Sequence, residues 1–210
     1  MSLSVILPLH DALFSPRLIP LLIELGRRSD AVVHVVDLRP SPDAADAAPG
    51  RSPRDAGFGK NGRQHALREA YVESVAHQIA DVLGSTRVKV AVREGEPGEQ
   101  LAEYARERDA ELIAIGTEDR DEDGHEAALS FARALARYTG VAVFLLASSR
   151  DETSGIFVAD LDGSEAARSR LELALSSTRL AGARELTVYA LPDGDTIAEP
   201  PRLHPVAGRP

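Results

Sequence analysis

Short apolar runs rich in β-branched residues alternate with amphipathic helical patterns along most of this chain. Residues 4–9 (SVILPL) and 31–38 (AVVHVVDL) lack the polar and apolar alternation of a half-exposed strand, as expected of parallel strands that are covered on both faces. The segment between them carries leucines at helical spacing, and Ser15 and Pro16 stand where an N-cap and a first helical residue are expected. The pattern therefore predicts a β-α-β unit, which is the building block of an α/β fold.

The same alternation continues to about residue 148. Helical patterns cover residues 63–84, 95–110 and 126–139, and strand patterns cover residues 87–92, 111–116 and 141–147. We predict one α/β domain over residues 1–148, with a five-stranded parallel open sheet and helices on both faces. Residues 41–62 contain three prolines and four glycines, which predicts a flexible loop.

Composition narrows the functional classes. Apolar residues make up 43% of the chain, its formal charge is −9, and it has no cysteine. The charge disfavours nucleic acid and anionic membranes as partners, and the lack of thiols excludes disulfides. No signal peptide or membrane span is predicted, so the expected location is cytoplasmic. The histidines lack metal-ligand spacing and no nucleophile motif is evident, so no enzyme activity is predicted.

Residues 155–191 repeat the opening of the chain. The segment GIFVADLDGSEAARSR reads as a strand, an Asp-Gly-Ser turn and a helix, and a further strand pattern follows. Leu9-His10-Asp11-Ala12 corresponds to Leu161-Asp162-Gly163-Ser164. We therefore predict a partial second repeat over residues 154–192, followed by a proline-rich tail over residues 193–210.

The order of elements, with GEP before the third helix and AELIAIGT after it, resembles the universal stress protein family over residues 4–147. The resemblance implies a Rossmann-like fold of the adenine nucleotide α-hydrolase type. In that family a glycine-rich loop after the fourth strand and the following helix start hold the phosphates of an adenine nucleotide, where free amides favour an anion. The repeat at residues 154–192 likewise resembles the first half of a second domain in a tandem member.

Only part of the family's nucleotide site is present. Gly116, followed by Thr117, matches the first glycine and Ser130 matches the closing Ser or Thr, whereas Asp119 and Leu129 replace the other two glycines. His10 stands where the family has an Asp that contacts the nucleoside, and Val36 is placed to offer backbone contacts to adenine. In the second repeat, Asp162, Gly163 and Ser164 match the family's first turn.

These departures predict a degenerate nucleotide site and a non-enzymatic regulatory or scaffolding protein. A leucine side chain and a carboxylate both oppose the approach of a phosphate. The alternative is a stress protein that binds ATP or AMP through Val36, Gly116 and Ser130, and slow ATP hydrolysis stays open with it.

A weaker alternative involves a divalent cation. Asp119, Asp121 and Asp123, followed by Gly124, reproduce the first half of a calcium loop. The twelfth position is Ser130 and not a bidentate Glu, so the ligand set is incomplete. A solvated acidic turn is the favoured interpretation, and Ca²⁺ binding the speculative one.

The last strand pattern of the first domain bears on assembly. Residues 141–146 (VAVFLL) are all apolar, and an exposed edge strand of this kind invites pairing with another chain. The resemblance implies pairing of this strand across a dimer, so we predict a homodimer through residues 141–146. The partial second unit is expected to pack against its own first domain or a partner subunit.

Overall fold

The computed structural model describes residues 3–41, 58–118, 122–148, 153–160, 165–180, 185–191 and 200–202. Its strands are β1 (Ser4–Leu9), β2 (Val32–Arg39), β3 (Val88–Glu94), β4 (Leu112–Glu118), β5 (Ala142–Ser148), β6 (Thr153–Asp160) and β7 (Glu185–Leu191). Its helices are α1 (Leu18–Ser29), α2 (Phe58–Leu83), α3 (Pro97–Glu107), α4 (Glu122–Thr139) and α5 (Glu165–Leu180), with a 3₁₀ turn at Ser85–Arg87.

The described strands form one sheet in the order β3-β2-β1-β4-β5-β6-β7. The pairs among β1 to β5 are parallel. Strand β6 runs antiparallel to β5, and β7 runs parallel to β6. The α/β class and the dominance of parallel pairing are thus confirmed, but the sheet has seven strands where the first domain was predicted to have five.

Strand β5 is an internal strand, so the prediction that residues 141–146 form an exposed edge is wrong. β5 is hydrogen-bonded to β4 on one side and to β6 on the other. Phe144 stands opposite Phe157 of β6 in the register, and both side chains are fully buried. The chain's own second unit thereby satisfies the backbone groups that an intermolecular partner would otherwise pair.

Two apolar cores lie on opposite faces of the sheet. Helices α1, α2 and α5 cover the first, and α3 and α4 cover the second. Phe157 and Ala174 of the second unit belong to the first core, while Ile156 and Val158 belong to the second. Of the two expected arrangements, packing against its own first domain or against a partner subunit, the described residues show the first. A strand, a helix and a strand follow one another in this unit.

Two helix starts differ from the sequence expectation. α1 begins at Leu18, after a turn in which the Ser15 hydroxyl accepts a hydrogen bond from the Arg17 amide (3.2 Å) and the Ser15 carbonyl accepts one from the Leu18 amide (3.0 Å). α2 begins at Phe58, so residues 58–62 of the predicted loop are helical. Residues 42–57 lie outside the described ranges.

Candidate functional site

The strand order reverses direction between β1 and β4, which is where open α/β sheets usually bind ligands. Here the loop from β1 to α1 enters that position. The Gly116 amide at the end of β4 donates to the Leu13 carbonyl (2.9 Å), and the side chains of Leu13 and Ser15 are fully buried. An amide that a phosphate would use is thus already bonded within the chain.

Packing against this loop accounts for the glycine at position 116. A Cβ added there would lie 2.6 Å from the Ser15 Cβ and 3.0 Å from the Ser15 amide nitrogen. The first distance is too short for a real contact, and the second, to a backbone atom, is tighter than most. Thr117 follows with its side chain buried. The close approach that Gly116 permits is therefore one between two segments of this protein.

Substituting Gly116 with alanine tests this reading. We expect G116A to lower the free energy of unfolding of the ligand-free protein by about 1–3 kcal/mol, because the added methyl group must displace the buried β1–α1 loop. Ser130→Ala, on the exposed side of α4, is the control and should change stability little. Equal denaturant midpoints for G116A and the parent chain would show that the glycine is not needed for packing.

Helix α4 occupies positions where the resemblance implies a glycine-rich loop. α4 begins at Glu122, so Ser130 lies in its middle, exposed, and Leu129 is buried in the second core. Backbone amides at mid-helix are bonded within the helix. Asp119 and Asp121 lie outside the described residues, and Asp123 is described only by its backbone.

Val36 lies inside the sheet and not at a strand end. Its register partners are Pro8 of β1 and Ala91 of β3, and β2 continues to Arg39. The Val36 side chain is fully buried in the second core. Asp162, Gly163 and Ser164 of the second repeat lie outside the described residues.

A cleft of about 240 Å³ opens beside this region, on the α2 side of the carboxyl ends of β1 and β2. It is lined by Leu9, His10, Asp11, Phe14, Asp37, Arg68, Tyr71 and Val72. The rings of Phe14 and Tyr71 meet edge to face with their centroids 6.1 Å apart. His10 thus lines an opening at the carboxyl end of β1, but Val36, Gly116, Thr117 and Ser130 do not line it.

His10 is held in place by the turn that follows it. Its Nδ1 accepts a hydrogen bond from the Ala12 amide (3.2 Å), and its carbonyl accepts bonds from the amides of Leu13 (2.9 Å) and Phe14 (3.0 Å). Because a backbone amide can only donate, Nδ1 carries no proton in this arrangement. The neutral ring therefore bears its proton on Nε2.

A buried ion-pair group borders the same cleft. The Asp37 side chain is fully buried, and its two oxygens accept bonds from Arg39 Nε and Arg68 Nε, each at 2.6 Å. Arg68 Nη2 also donates to the carbonyls of Leu9 (3.1 Å) and Leu38 (2.9 Å). One guanidinium thereby joins α2 to the ends of both β1 and β2.

The sequence interpretation missed Asp37, Arg68 and Tyr71. An Asp at the end of a buried strand is a readable signal, because such a carboxylate needs a partner. Arg68 and Tyr71 gave no such signal, since they occur in a polar helical pattern and their place depends on how α2 packs on the sheet.

On the opposite face of the sheet, His34 Nδ1 lies 3.0 Å from the Tyr104 hydroxyl. Burial, and then the positive charges of Arg108 and Lys89, lower the pKa of His34. The guanidiniums of Arg93 and Arg108 also lie over the Tyr104 ring, 5.0 Å and 5.3 Å from its centroid. A protonated His34 would therefore be unfavourable in the folded state.

The lowered pKa of His34 predicts acid sensitivity. Above about pH 6.5, the ordinary pKa of histidine, the residue is neutral in both states and adds no pH dependence. Below it the unfolded chain binds the proton more readily, so the free energy of unfolding falls until the folded pKa is passed. We expect His34→Gln to flatten the decline between pH 7.5 and 5.5 in urea titrations. Parallel declines in both proteins would contradict this assignment.

Within the described ranges, no group of three or more His, Asp or Glu side chains is placed to hold a metal ion. Among the helices of those same residues, none is both long enough and apolar enough to cross a bilayer.

The fold and the cleft together define a doubly wound α/β protein with an opening at the carboxyl ends of its strands. The chain belongs to the universal stress protein family, whose sequence model matches residues 5–147. The comparison with curated proteins gave no match.

Solved structures that match this chain include the hypothetical protein PH0823, which is 15% identical; the match covers 69% of this chain and 96% of that one, with a TM-score of 0.41. A universal stress protein solved in complex with cAMP is 20% identical, with 68% of this chain and 95% of that one covered and a TM-score of 0.41.

Proposed function

We propose that this universal stress protein family member is a non-enzymatic regulatory protein that does not bind nucleotide triphosphates at the family's phosphate position. The observation that carries the proposal is the bond from the Gly116 amide to the Leu13 carbonyl (2.9 Å), with Ser15 packed over the glycine. A phosphate at this point would have to displace a buried leucine and a buried serine. The sequence that follows β4 is also acidic, and negative charge of this kind repels a polyanion.

The α4 helix supports the same proposal. Leu129 is in the core, so the backbone beside it is not available to follow a phosphate chain as a glycine-rich loop does. Without a held triphosphate there is no arrangement for hydrolysis, and the expected role is binding to a partner or to a smaller ligand.

Calorimetric titration with ATP and magnesium tests the proposal. We expect no saturable heat at micromolar to millimolar ATP with the folded protein, and the same result for Gly116→Ala. The proposal would be overturned if the parent chain bound ATP at micromolar concentration and G116A abolished that binding. The β1–α1 loop would then have to move aside for the phosphates.

The second candidate function is adenine-nucleotide binding, including AMP and nucleosides. The observation in its favour is that His10 and Asp11 line an open cleft at the carboxyl ends of β1 and β2. Adenosine in the same calorimeter separates the two candidates, since a nucleoside lacks the phosphates that the closed position excludes. Saturable binding of adenosine without binding of ATP would favour a nucleoside sensor.

A further inference from the structure

The cleft beside α2 has features that the closed phosphate position does not explain. Its volume of about 240 Å³ is below the roughly 300–1,000 Å³ typical of pockets for drug-sized ligands. Its walls include the rings of Phe14 and Tyr71 and the aliphatic side chains of Leu9 and Val72. Such walls fit a small, flat apolar body.

Arg68 supplies the charged group of this cleft. Its Nε and Nη2 are engaged by Asp37 and by two strand-end carbonyls. Among the described residues its Nη1 amino group has no hydrogen-bond partner, and about one third of the side chain is exposed. Both contacts to the strand ends fix the guanidinium in one orientation, so Nη1 is a donor that is already positioned for an acceptor.

The donor belongs to a group of charged side chains at the carboxyl ends of β1 and β2. Arg39 and Arg68 share the carboxylate of Asp37, and Asp11 is the second acid of the cleft lining. Glu69 approaches Arg39 Nη2 only at 3.9 Å and is half exposed. Both Asp37 oxygens are used, so the inner end of the cleft offers donors and no spare carboxylate. Asp11 is exposed, so solvent and salt screen its charge more than they screen the buried Asp37 group.

We propose that this cleft binds a small aromatic carboxylate, with its ring against the wall formed by Phe14 and Tyr71 and the carboxylate received by Nη1 of Arg68. A single negative charge suits this donor, because, in the part of the chain that the structure describes, the only carboxylate that Arg68 contacts is shared with Arg39. Asp11 is exposed at the mouth, and it disfavours ligands that carry further negative charge outward. The site goes beyond the proposed function, because it uses neither Gly116 nor α4.

Titration of the ¹⁵N-labelled full chain with sodium benzoate, followed by amide chemical shifts, tests the site. We expect saturable binding at about millimolar affinity, as suits a ligand of nine non-hydrogen atoms, with shifts concentrated at residues 9–14, 37 and 68–72. Benzamide, the neutral analogue, should bind at least about tenfold more weakly because its amide lacks the charge-assisted bond.

Variants assign the binding to named groups. Arg68→Lys keeps the positive charge beside Asp37 but loses the planar guanidinium with its several N–H donors. The affinity for benzoate should fall by about tenfold or more. Asp11→Asn should raise the affinity for benzoate severalfold and does not change Arg68. This variant therefore tests the site even if Arg68→Lys folds poorly. Arg27→Gln, on the exposed side of α1, should change nothing. Equal affinity for benzamide, no effect of D11N, shifts elsewhere on the protein, or no binding would each overturn the proposal.

An ATP titration of the same sample keeps the two proposals separate. ATP binding with shifts at Gly116 and the start of α4 would overturn the closed phosphate position and leave the benzoate result standing. Absence of benzoate binding together with absence of ATP binding would overturn the carboxylate site alone.

Discussion

Replacing Phe157 with alanine is expected to lower the free energy of unfolding of the whole chain by about 3–5 kcal/mol, in one cooperative transition. Phe157 belongs to β6 of the second unit, yet its side chain is fully buried in the core that α1 and α2 cover. Removing the ring leaves a cavity shared by both units. Loss of the ring therefore weakens both the contact between β5 and β6 and the packing of α1 on the sheet.

Urea denaturation followed by circular dichroism measures this effect. Val188→Ala is the matched control on β7 of the same unit, since Val188 is 37% exposed and should cost much less. If the second unit were an independent appendage, F157A would add an early transition for that unit and leave the main transition at its original urea concentration. That result would contradict the single cooperative sheet.

The second large effect is expected at Asp37. Replacing it with alanine leaves the guanidiniums of Arg39 and Arg68 facing each other at the strand ends without their buried carboxylate, which should cost about 3–5 kcal/mol of stability. The loss should also release α2 from β1 and β2, because Arg68 makes its other two bonds from the same position.

The comparison uses Glu24→Gln as control, because Glu24 pairs with Arg27 and Arg28 on the exposed surface of α1 and such pairs contribute about 0–1 kcal/mol. Hydrogen exchange should show faster exchange of α2 amides in Asp37→Ala and not in the control. A loss of stability below about 1 kcal/mol for Asp37→Ala would mean that the three groups do not act as a buried unit.

The strands and helices of this protein are largely determined by local sequence. Apolar runs such as residues 31–38 must be covered on both faces, and this requirement alone predicts parallel strands with helices on either side. Glu96 and Pro97 mark the start of α3, where the Glu96 carboxylate accepts from the Glu99 amide (3.0 Å). Such signals act within a few residues, so they can be read without knowledge of the fold.

The apolar runs do not specify which strands pair with them in the sheet. The apolar character of residues 141–146 is the same whether the strand lies at an edge or inside a sheet, and only the structure shows that β6 of the same chain pairs with it in antiparallel register. The helical pattern from residue 63 likewise did not reveal that α2 begins at Phe58.

Part of the candidate site could be predicted from the sequence, and part of it depends on tertiary packing. The sequence by itself indicated that His10 follows a buried strand, at the carboxyl ends of the strands where ligands bind. Only the tertiary structure decided that the β1–α1 loop bonds Gly116 and that Arg68, from a helix 31 residues beyond Asp37, reaches its carboxylate. The reason is physical: strand and helix patterns arise from contacts between near neighbours, whereas closure of a site depends on which distant side chains the packing of whole elements brings within hydrogen-bond distance.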